Sequence, residues 1–523
     1  MVSRRWDNPL GGPVLGTLLL LGLAPLGRLV MQAWGGSPDS GLASPFLDAR
    51  TASLLLRSFW IAGVATLVAV GPGAAVGLVL ARVPFRGRWA LVVALFSVFC
   101  ISPYVLALGW LGGRLDSSWS GMLLGSPWAV AWILGVSYLP LAALITLLGA
   151  RGLPTSPEEA ALLTVGPART VWKVVLPGVA ASCGVAALLV FDLCFADYAV
   201  ASLLQVPTYP IEVFLYYAGV FQPAEAARAC LPLLGVGFLV ALALGFLIPQ
   251  SLVRRWPASP RRDWMLAAKT RWMCVGTVLV GLACIATPPL LILAASLPSF
   301  QTASRALGGG MGAMGNSLSV SGAAAGLALL LAWPASSVLA GSSRSTLVAV
   351  STLLLLPQCV PASAYGIAWV ELAAQLGPAG NRIADQIGFL GPALCLAVCL
   401  AGPATLFLAG GRLALAEEAM EAARLQEARG LRRDIVIAAP QLASMALATA
   451  AILGALAMNA VGILVLTVPP GFEVLPLRTD NMLHYGLPEE AITLVLATAA
   501  VAAAPAVLLL LAAGVRHRTT RAC

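Results

Sequence analysis

The sequence predicts an all-α polytopic membrane protein with about 12 transmembrane helices, arranged as a tandem repeat of two six-helix domains. Three observations lead to this class. Of the 523 residues, 59% are hydrophobic and only 10% are charged, far too few for the polar surface of a soluble protein of this size. Twelve apolar segments approach or exceed the roughly 20 residues that a helix needs to cross a bilayer. Motifs of the first half also recur in the second half at a nearly constant spacing.

The predicted spans divide evenly between the two halves of the chain. Those of the first half are Pro13–Trp34, Trp60–Val83, Trp89–Gly112, Trp128–Ala150, Gly178–Leu203 and Leu231–Leu252. Those of the second half are Trp272–Leu297, Leu318–Gly341, Thr346–Leu372, Gly388–Gly410, Gln441–Val468 and Ile492–Val515. The first segment resembles a signal peptide, but its length and the many spans that follow favour a retained helix.

The basic residues predict the orientation of these spans. Lys and Arg concentrate in alternate connections, for example between Arg254 and Arg271 and between Arg516 and Arg521. By the positive-inside rule these connections are cytoplasmic, so both termini are expected to be cytoplasmic. The net charge of +9 is therefore a topology signal, and we expect the lipid bilayer rather than nucleic acid as a partner.

The sequence gives no indication of enzymatic chemistry or of a metal centre. The chain has ten cysteines and two histidines, with no CxxC motif and no Cys/His cluster, so a metal site is not predicted. No nucleophile–base arrangement and no pair of acids at a useful spacing occurs. We therefore expect a protein that is not an enzyme and has no cofactor.

Internal repeats divide the chain into two domains. Glu158 to Pro177 and Glu421 to Pro440 each span nineteen positions, and Arg169 matches Arg432 at the same offset of 263. Matches within the spans and on the opposite side of the membrane favour a tandem duplication over chance similarity of apolar helices. The predicted domains are residues 1–255 and 272–523, joined by a basic cytoplasmic linker at 256–271.

Two charged loops interrupt the apolar sequence at corresponding places. The first charged loop, Glu158–Pro177, and the second charged loop, Glu421–Pro440, begin with acids and small residues, pass through a glycine and basic residues, and end at a proline. Acids favour a helix N-terminus, and proline fits the first turn of the next helix. Each loop is expected to form a short helix, a turn at the glycine and a helix that enters the membrane. A surface hairpin that merely connects two spans is the alternative.

These loops resemble the EAA loop of bacterial ABC-importer permeases. In that family the pattern is Glu-Ala-Ala, three residues, Gly, and a stretch closing in Leu-Pro, and "RTVWKVVLP" at Arg169–Pro177 is similar to the closing segment. The tandem arrangement resembles fused permeases of the ferric-iron, thiamine and polyamine group. Counted back from the prolines, the family glycine falls on Thr164 and Glu427. The turn residue therefore stays open between these positions and Gly166 or Gly430.

The resemblance implies a type I ABC-importer-like fold and a permease of the bacterial inner membrane. Its coupling loops would seat in an ATP-hydrolysing subunit. The chain contains no Walker A motif, so the ATPase is expected to be a separate cytoplasmic homodimer. A periplasmic or lipid-anchored solute-binding protein is expected to deliver the substrate. The residues that match the coupling loops are Glu158, Glu159, Ala160, Gly166, Arg169, Pro177, Glu421, Ala422, Ala423, Gly430, Arg432 and Pro440.

Three polar residues are candidates for the translocation path. Asp192 and Asp197 lie in or near the fifth predicted span, and Asn459 falls at a corresponding depth in the second half. An ionisable residue inside a membrane is a candidate functional residue by default. A carboxylate at the end of a span, or a hydrogen bond between helices, is the alternative explanation, and for Asn459 it is the more common one.

The leading functional hypothesis is the membrane channel of an ATP-driven solute importer. An ion-coupled secondary transporter with twelve helices is the alternative, although such proteins usually couple through several ionisable residues in their spans. A membrane-anchored scaffold is a third reading. The outer-loop pattern is closest to that of ferric-iron permeases, and thiamine or a polyamine is the alternative substrate.

Overall fold

The structure of the protein is a computed structural model that describes most of the chain. The described residues are 8–35, 49–85, 87–111, 118–153, 155–220, 223–253, 268–295, 299–375, 388–415, 430–484, 490–501 and 503–504. Within these ranges the chain is helical, with turns and short connections and without a β-strand. The all-α class is thus confirmed for this part of the chain.

The first part of the chain forms helices α1 to α12. They are α1 Gly11–Gly35, α2 Ala49–Arg82, α3 Arg88–Phe99, α4 Pro103–Leu111, α5 Ser118–Leu123, α6 Pro127–Arg151, α7 Thr155–Val165, α8 Pro167–Thr170, α9 Leu176–Phe195, α10 Ala199–Leu203, α11 Tyr209–Val220 and α12 Pro223–Val253. The first π turn, Val171–Val175, joins α8 to α9. A π turn is a short stretch in which each hydrogen bond spans five residues instead of four.

The second part forms helices α13 to α22. They are α13 Ala268–Ala295, α14 Phe300–Gly341, α15 Arg344–Cys359, α16 Ala362–Gln375, α17 Leu390–Ala414, α18 Gly430–Arg433, α19 Ala439–Met458, α20 Val461–Thr467, α21 Leu475–His484 and α22 Glu490–Val501. The second π turn, Asp434–Ala438, joins α18 to α19.

Long apolar helices make the chain a multi-pass membrane protein. Among the described residues, eight helices are long and apolar enough to cross a bilayer, or nine if α15 and α16 form one bent span. These helices expose large apolar side chains such as Leu67 and Leu330. Trp34 and Trp272 are exposed near helix ends, where membrane proteins place aromatic side chains at the bilayer interface. The number of twelve spans stays a prediction.

Four of the predicted spans are broken in the structure. The span predicted at Gly178–Leu203 divides into α9 and α10, and the span predicted at Gln441–Val468 divides into α19 and α20. The other two spans divide next to a proline. The span predicted at Thr346–Leu372 divides into α15 and α16, which are bent by 94° relative to each other. The span predicted at Trp89–Gly112 divides into α3 and α4. Proline has no N–H to donate and disfavours a helical conformation in the residue before it. Pro103 and Pro361 therefore account for the breaks in these last two spans.

The helix bounds recur along the chain. Helices α6 and α17 have 25 residues each and begin 263 positions apart. The same offset separates α8, the first π turn and α9 from α18, the second π turn and α19. Helices α2 and α14 end 259 positions apart. The offset of 263 positions is also the distance in sequence between the two charged loops.

The described helices group into two compact units, of which the first comprises Met1–Phe59, Phe195–Phe246 and Leu297–Ala502. In this unit α14 packs along α17, and α1 packs against α14, α15 and α16. Gly402 lets α17 approach α15 closely, because a Cβ atom there would overlap the carbonyl oxygen of Leu354. Small residues at such contacts are usual between membrane helices, whose association depends on close packing.

The second unit comprises Trp60–Cys194, Leu247–Ser296 and Ala503–Cys523. In this unit α3 packs against α6, and α13 packs against α4. A buried aliphatic core includes Leu80, Leu95, Leu147 and Val278. The division of the chain into domains 1–255 and 272–523 stays a prediction.

Candidate functional site

The first charged loop forms a helix, a turn and a second helix. Helix α7 carries Glu158 in its first turn, where a carboxylate interacts favourably with the helix dipole. The chain then turns at Gly166, whose φ is 78°, and glycine adopts this left-handed conformation without the steric cost of a Cβ atom. Pro167 opens α8. The turn in this loop therefore lies at Gly166, whereas Thr164 lies within α7.

A π turn joins each charged loop to the membrane helix that follows. In the first half the amide of Leu176 donates to the carbonyl of Val171, five residues earlier. In the second half the amide of Ala439 donates in the same way to the carbonyl of Asp434, five residues earlier. In both halves the next residue is a proline, Pro177 or Pro440, which cannot donate a hydrogen bond and crowds the carbonyl four residues before it. The wider turn accommodates that proline, and π turns are frequent at functional sites.

Glu158 forms an ion pair within the chain. Its Oε2 lies 2.7 Å from Nη2 of Arg82, the last residue of α2. Both residues are more than nine-tenths buried. The pair fixes α7 to the end of α2, and the carboxylate of Glu158 is buried. Sequence reasoning did not identify Arg82, because nothing in the local pattern links the two positions.

The exposed part of the first charged loop combines small, basic and apolar residues. We call Ala160, Leu163, Arg169 and Trp172 the loop surface. All four are exposed, and Leu163 and Trp172 have relative exposures of 89% and 71%. Glu159, next to them in sequence, is half-buried. Exposed apolar side chains mark sites of interaction with a protein or a membrane, and Trp172 is also the second residue of the candidate membrane span Val171–Phe195.

The second charged loop is described from Gly430 onward. Its first matching residues, Glu421 to Ala423, lie outside the described residues. Gly430 begins α18, Arg432 is exposed, and Pro440 is the second residue of α19. The part of the second charged loop that can be compared with the first is therefore the segment from Gly430 that leads into α19.

A buried ion pair joins the second charged loop to α17. Asp434, the first residue of the second π turn, accepts hydrogen bonds from Arg412 at both carboxylate oxygens, over 2.9 Å and 3.2 Å. Arg412, near the end of α17, also donates to Oγ of Ser336 over 2.8 Å and to the carbonyl of Trp333 over 3.1 Å. Asn8 donates to Asp434 over 2.7 Å. Sequence reasoning missed this network, whose signal was an arginine within the apolar run of α17.

The three pathway candidates occupy different settings. Asp192 lies in α9 and is buried, with no hydrogen-bond or ion-pair partner among the described residues. Asp197 follows α9, and its Oδ1 accepts a hydrogen bond of 3.0 Å from the amide of Val200, so it caps α10. Asn459 ends α19 and donates to the carbonyl of Ala455 over 3.0 Å. Their local hydrogen bonds give Asp197 and Asn459 a structural role. No such hydrogen bond assigns a structural role to Asp192.

Helix breaks of the first unit come together around Gly462, at the start of α20. A Cβ atom on Gly462 would lie 3.1 Å from Cβ of Ala362 and 3.4 Å from the ring of Tyr198. Ser363, at the start of α16, is 1% exposed, and its Oγ lacks a hydrogen-bond partner in the described part of the chain. Non-helical backbone at membrane depth is tolerated where it is buried in protein or lines a cavity. The Gly462 junction is therefore a further candidate for the path.

Helices α11 and α21 begin with the same hydrogen bond. The amides of Tyr209 and Leu475 donate to Oγ of Ser58 and Ser317, over 3.0 Å and 2.8 Å. Both donors precede a proline, and the two serines lie 259 positions apart in α2 and α14. The correspondence between the halves therefore extends to individual hydrogen bonds.

No group of three or more His, Cys, Asp or Glu residues that could hold a metal ion occurs in the part of the chain that the structure describes. Comparison with protein-family models, with curated proteins and with solved structures gives no significant match. The assignment of a function therefore depends on the sequence motifs and on the geometry of this chain.

Proposed function

We propose that the protein is the permease subunit of an ATP-driven ABC importer. The observation that carries the proposal is the first charged loop, with its short helix, its turn at Gly166 and its π turn. The chain is continuously helical from Pro167 to Phe195. A displacement at the loop surface can therefore be transmitted directly to a membrane helix, as rigid-body mechanisms of alternating access require.

Features of the second half support a second coupling loop in addition to the first charged loop. The segment from α18 through the second π turn to α19 repeats the bounds of α8 to α9. The matching hydrogen bonds of Ser58 and Ser317 support the same duplication. We therefore propose a tandem repeat of two six-helix domains, 1–255 and 272–523, with about twelve spans and with both termini in the cytoplasm.

The proposal assigns the loop surface to a cytoplasmic ATPase. Leu163 and Trp172 supply apolar contact area, and Arg169 supplies a positive charge; aromatic residues and arginine are enriched at protein interfaces. A permease with two similar loops would present two similar docking sites, which suits a homodimer of one ATPase subunit. A periplasmic or lipid-anchored binding protein would deliver the solute on the other side of a bacterial inner membrane.

The candidate contact for the solute that carries a charge is Asp192, which lies in α9. A buried carboxylate without a partner among the described residues is costly unless it reaches water or a cation. This favours a cationic solute, with ferric iron as the first candidate and thiamine or a polyamine as the alternatives. The proposal includes no cofactor and no catalytic residue in this chain.

An ion-coupled secondary transporter is the second candidate, and Asp192 is the observation that favours it. A buried carboxylate can carry a proton or bind an ion during transport. Such a transporter would not need the loop surface, so the two proposals differ in their dependence on Leu163 and Trp172.

Co-purification with an ATPase tests the first proposal. An ABC ATPase should co-purify with the affinity-tagged chain, and Leu163→Glu should lower its yield at least about tenfold, because it places a charge in an apolar contact. Met122→Glu is the matched control, since Met122 is an exposed apolar residue of α5, outside both charged loops. A chain that binds no ATPase, or binds it equally well with Leu163→Glu, would contradict the proposal.

A further inference from the structure

A polar network connects the start of α1 to the exit of the second charged loop. Asp434 binds Arg412 and Asn8 at once, and Arg412 is bound in turn to Ser336 and to Trp333 of α14. Arg412 and Asp434 are each only 1% exposed. The guanidinium carbon of Arg412 also lies 5.0 Å from the ring centroid of Trp333, a distance at which cation and ring attract each other.

Asn8 is the link between this network and α1. Its Oδ1 accepts a hydrogen bond of 3.0 Å from the amide of Leu10. Its carbonyl accepts one of 3.1 Å from the amide of Gly11, the first residue of α1. Asn8 therefore holds the first turn of α1 with its oxygen atoms and holds Asp434 with its Nδ2.

Helix α1 begins against the same part of α14 that Arg412 binds. A Cβ atom on Gly11 would lie 2.6 Å from Cγ2 of Val338 and 3.0 Å from the carbonyl oxygen of Pro334. Ser336 lies between these two positions, and Trp333 directly precedes Pro334. Arg412 thus binds the surface on which α1 rests, while Asn8 fastens α1 to Asp434.

The corresponding positions of the first half cannot form this network. The positions 263 residues before Arg412 and Asp434 are Gly149 and Val171, neither of which carries a polar side chain. A buried charge pair is costly unless its remaining hydrogen-bonding groups are satisfied. The network is therefore a feature of the second half and not a requirement of the helix arrangement that recurs in both.

We propose that Asp434 is a positioning residue that makes α1 move together with the second charged loop. Because the second π turn begins at Asp434, a displacement of the loop reaches Asp434 before it reaches α19. Asp434 then transmits it to α1 through Asn8. The first charged loop is anchored differently, since Arg82 and Glu158 hold α7 to α2. The tie itself is a property of the chain alone, and its role during the ATP cycle rests on the proposed function.

Hydrogen–deuterium exchange of the purified chain tests the tie without any partner. Asn8→Ser retains a residue that can cap α1 but is too short to reach Asp434. Arg412→Met combined with Asp434→Leu removes both charges, so that neither is left buried alone. In both variants the amides of Leu10 and Gly11 and those of residues 14–16 should exchange at least about tenfold faster than in the unaltered chain. Arg82→Met combined with Glu158→Leu is the matched buried-pair control and should leave these amides unchanged.

A distance measurement in the complex with the ATPase tests the movement and needs no solute. Nitroxide labels at Gly12, which has open space around it, and at the exposed Arg432 report on α1 and on the second charged loop. Between the ATP-bound and nucleotide-free states, their distance should stay constant to within about 2 Å in the unaltered chain and change by more in Asn8→Ser.

The outcomes separate the tie from the proposed function. Unchanged exchange in the double variant of Arg412 and Asp434 would overturn the tie. Faster exchange together with label distances that change equally in the unaltered chain and in Asn8→Ser would overturn the positioning role. A chain that binds no ATPase would overturn the proposed function, and the exchange result would still decide whether the tie exists.

Discussion

Breaking the ion pair between Arg82 and Glu158 should release α7 from the end of α2. Glu158→Leu would leave the Arg82 side chain, which is 9% exposed, without the carboxylate that lies 2.7 Å from it. Leaving one member of a buried pair uncompensated typically costs about 3–5 kcal/mol. Arg82→Met should destabilise the chain by a similar amount, because it removes the guanidinium that lies 2.7 Å from the buried carboxylate of Glu158.

The double variant distinguishes the ion pair from ordinary packing. Arg82→Met combined with Glu158→Leu leaves no charge behind and keeps apolar side chains in place, so it should destabilise the chain by less than either single substitution. The interaction energy from the double-mutant cycle should therefore exceed about 2 kcal/mol, near the upper part of the range for residues in contact.

The assay is unfolding of the purified chain in mild detergent, with tryptic cleavage after the exposed Arg169 as a local probe. A local opening that becomes about 3 kcal/mol easier should speed this cleavage on the order of a hundredfold in Glu158→Leu. The reasoning would be refuted if the two single substitutions added to within about 0.5 kcal/mol, because the ion pair would then not hold α7.

Three further predictions concern the turn, the topology and the path. Gly166→Ala should destabilise the chain by about 1 kcal/mol because φ is positive there, whereas the matched Gly12→Ala, in open space within α1, should not lower the melting temperature. A cysteine placed at Arg262 should not react with an impermeant thiol reagent outside intact cells, and one at Pro223 should; strong labelling at position 262 would reverse the predicted topology. Asp192→Asn should abolish uptake while expression persists, because it keeps the shape and removes the charge; undiminished uptake of labelled solute would remove Asp192 from the path.

Local sequence patterns predicted the elements whose cause is local. The long apolar runs predicted α1, α6 and α17, and the prolines at 177 and 440 marked the entry to α9 and α19. Hydropathy did not predict how far α2 and α14 extend beyond their apolar parts, since those extensions are less apolar. The break between α15 and α16 was also missed, although Pro361 was its local signal.

Contacts between distant residues could not be predicted from one sequence. Arg82 and Glu158 are 76 positions apart, and Asn8 and Asp434 are 426 apart. Which acid meets which base depends on how the helices pack, and the loop pattern alone did not indicate that Glu158 pairs with Arg82. The structure buries Glu158 and leaves Leu163 and Trp172 exposed, a distribution that the Glu-Ala-Ala motif does not reveal.

Native mass spectrometry of the complex that co-purifies with the tagged chain tests the central claim most directly. One chain with two charged loops should carry two copies of one ABC ATPase subunit, and Leu163→Glu in the first charged loop should leave a population with a single copy or none. Purification of the intact chain from its own membrane without any ATPase, in a detergent that preserves other membrane complexes, would contradict the account.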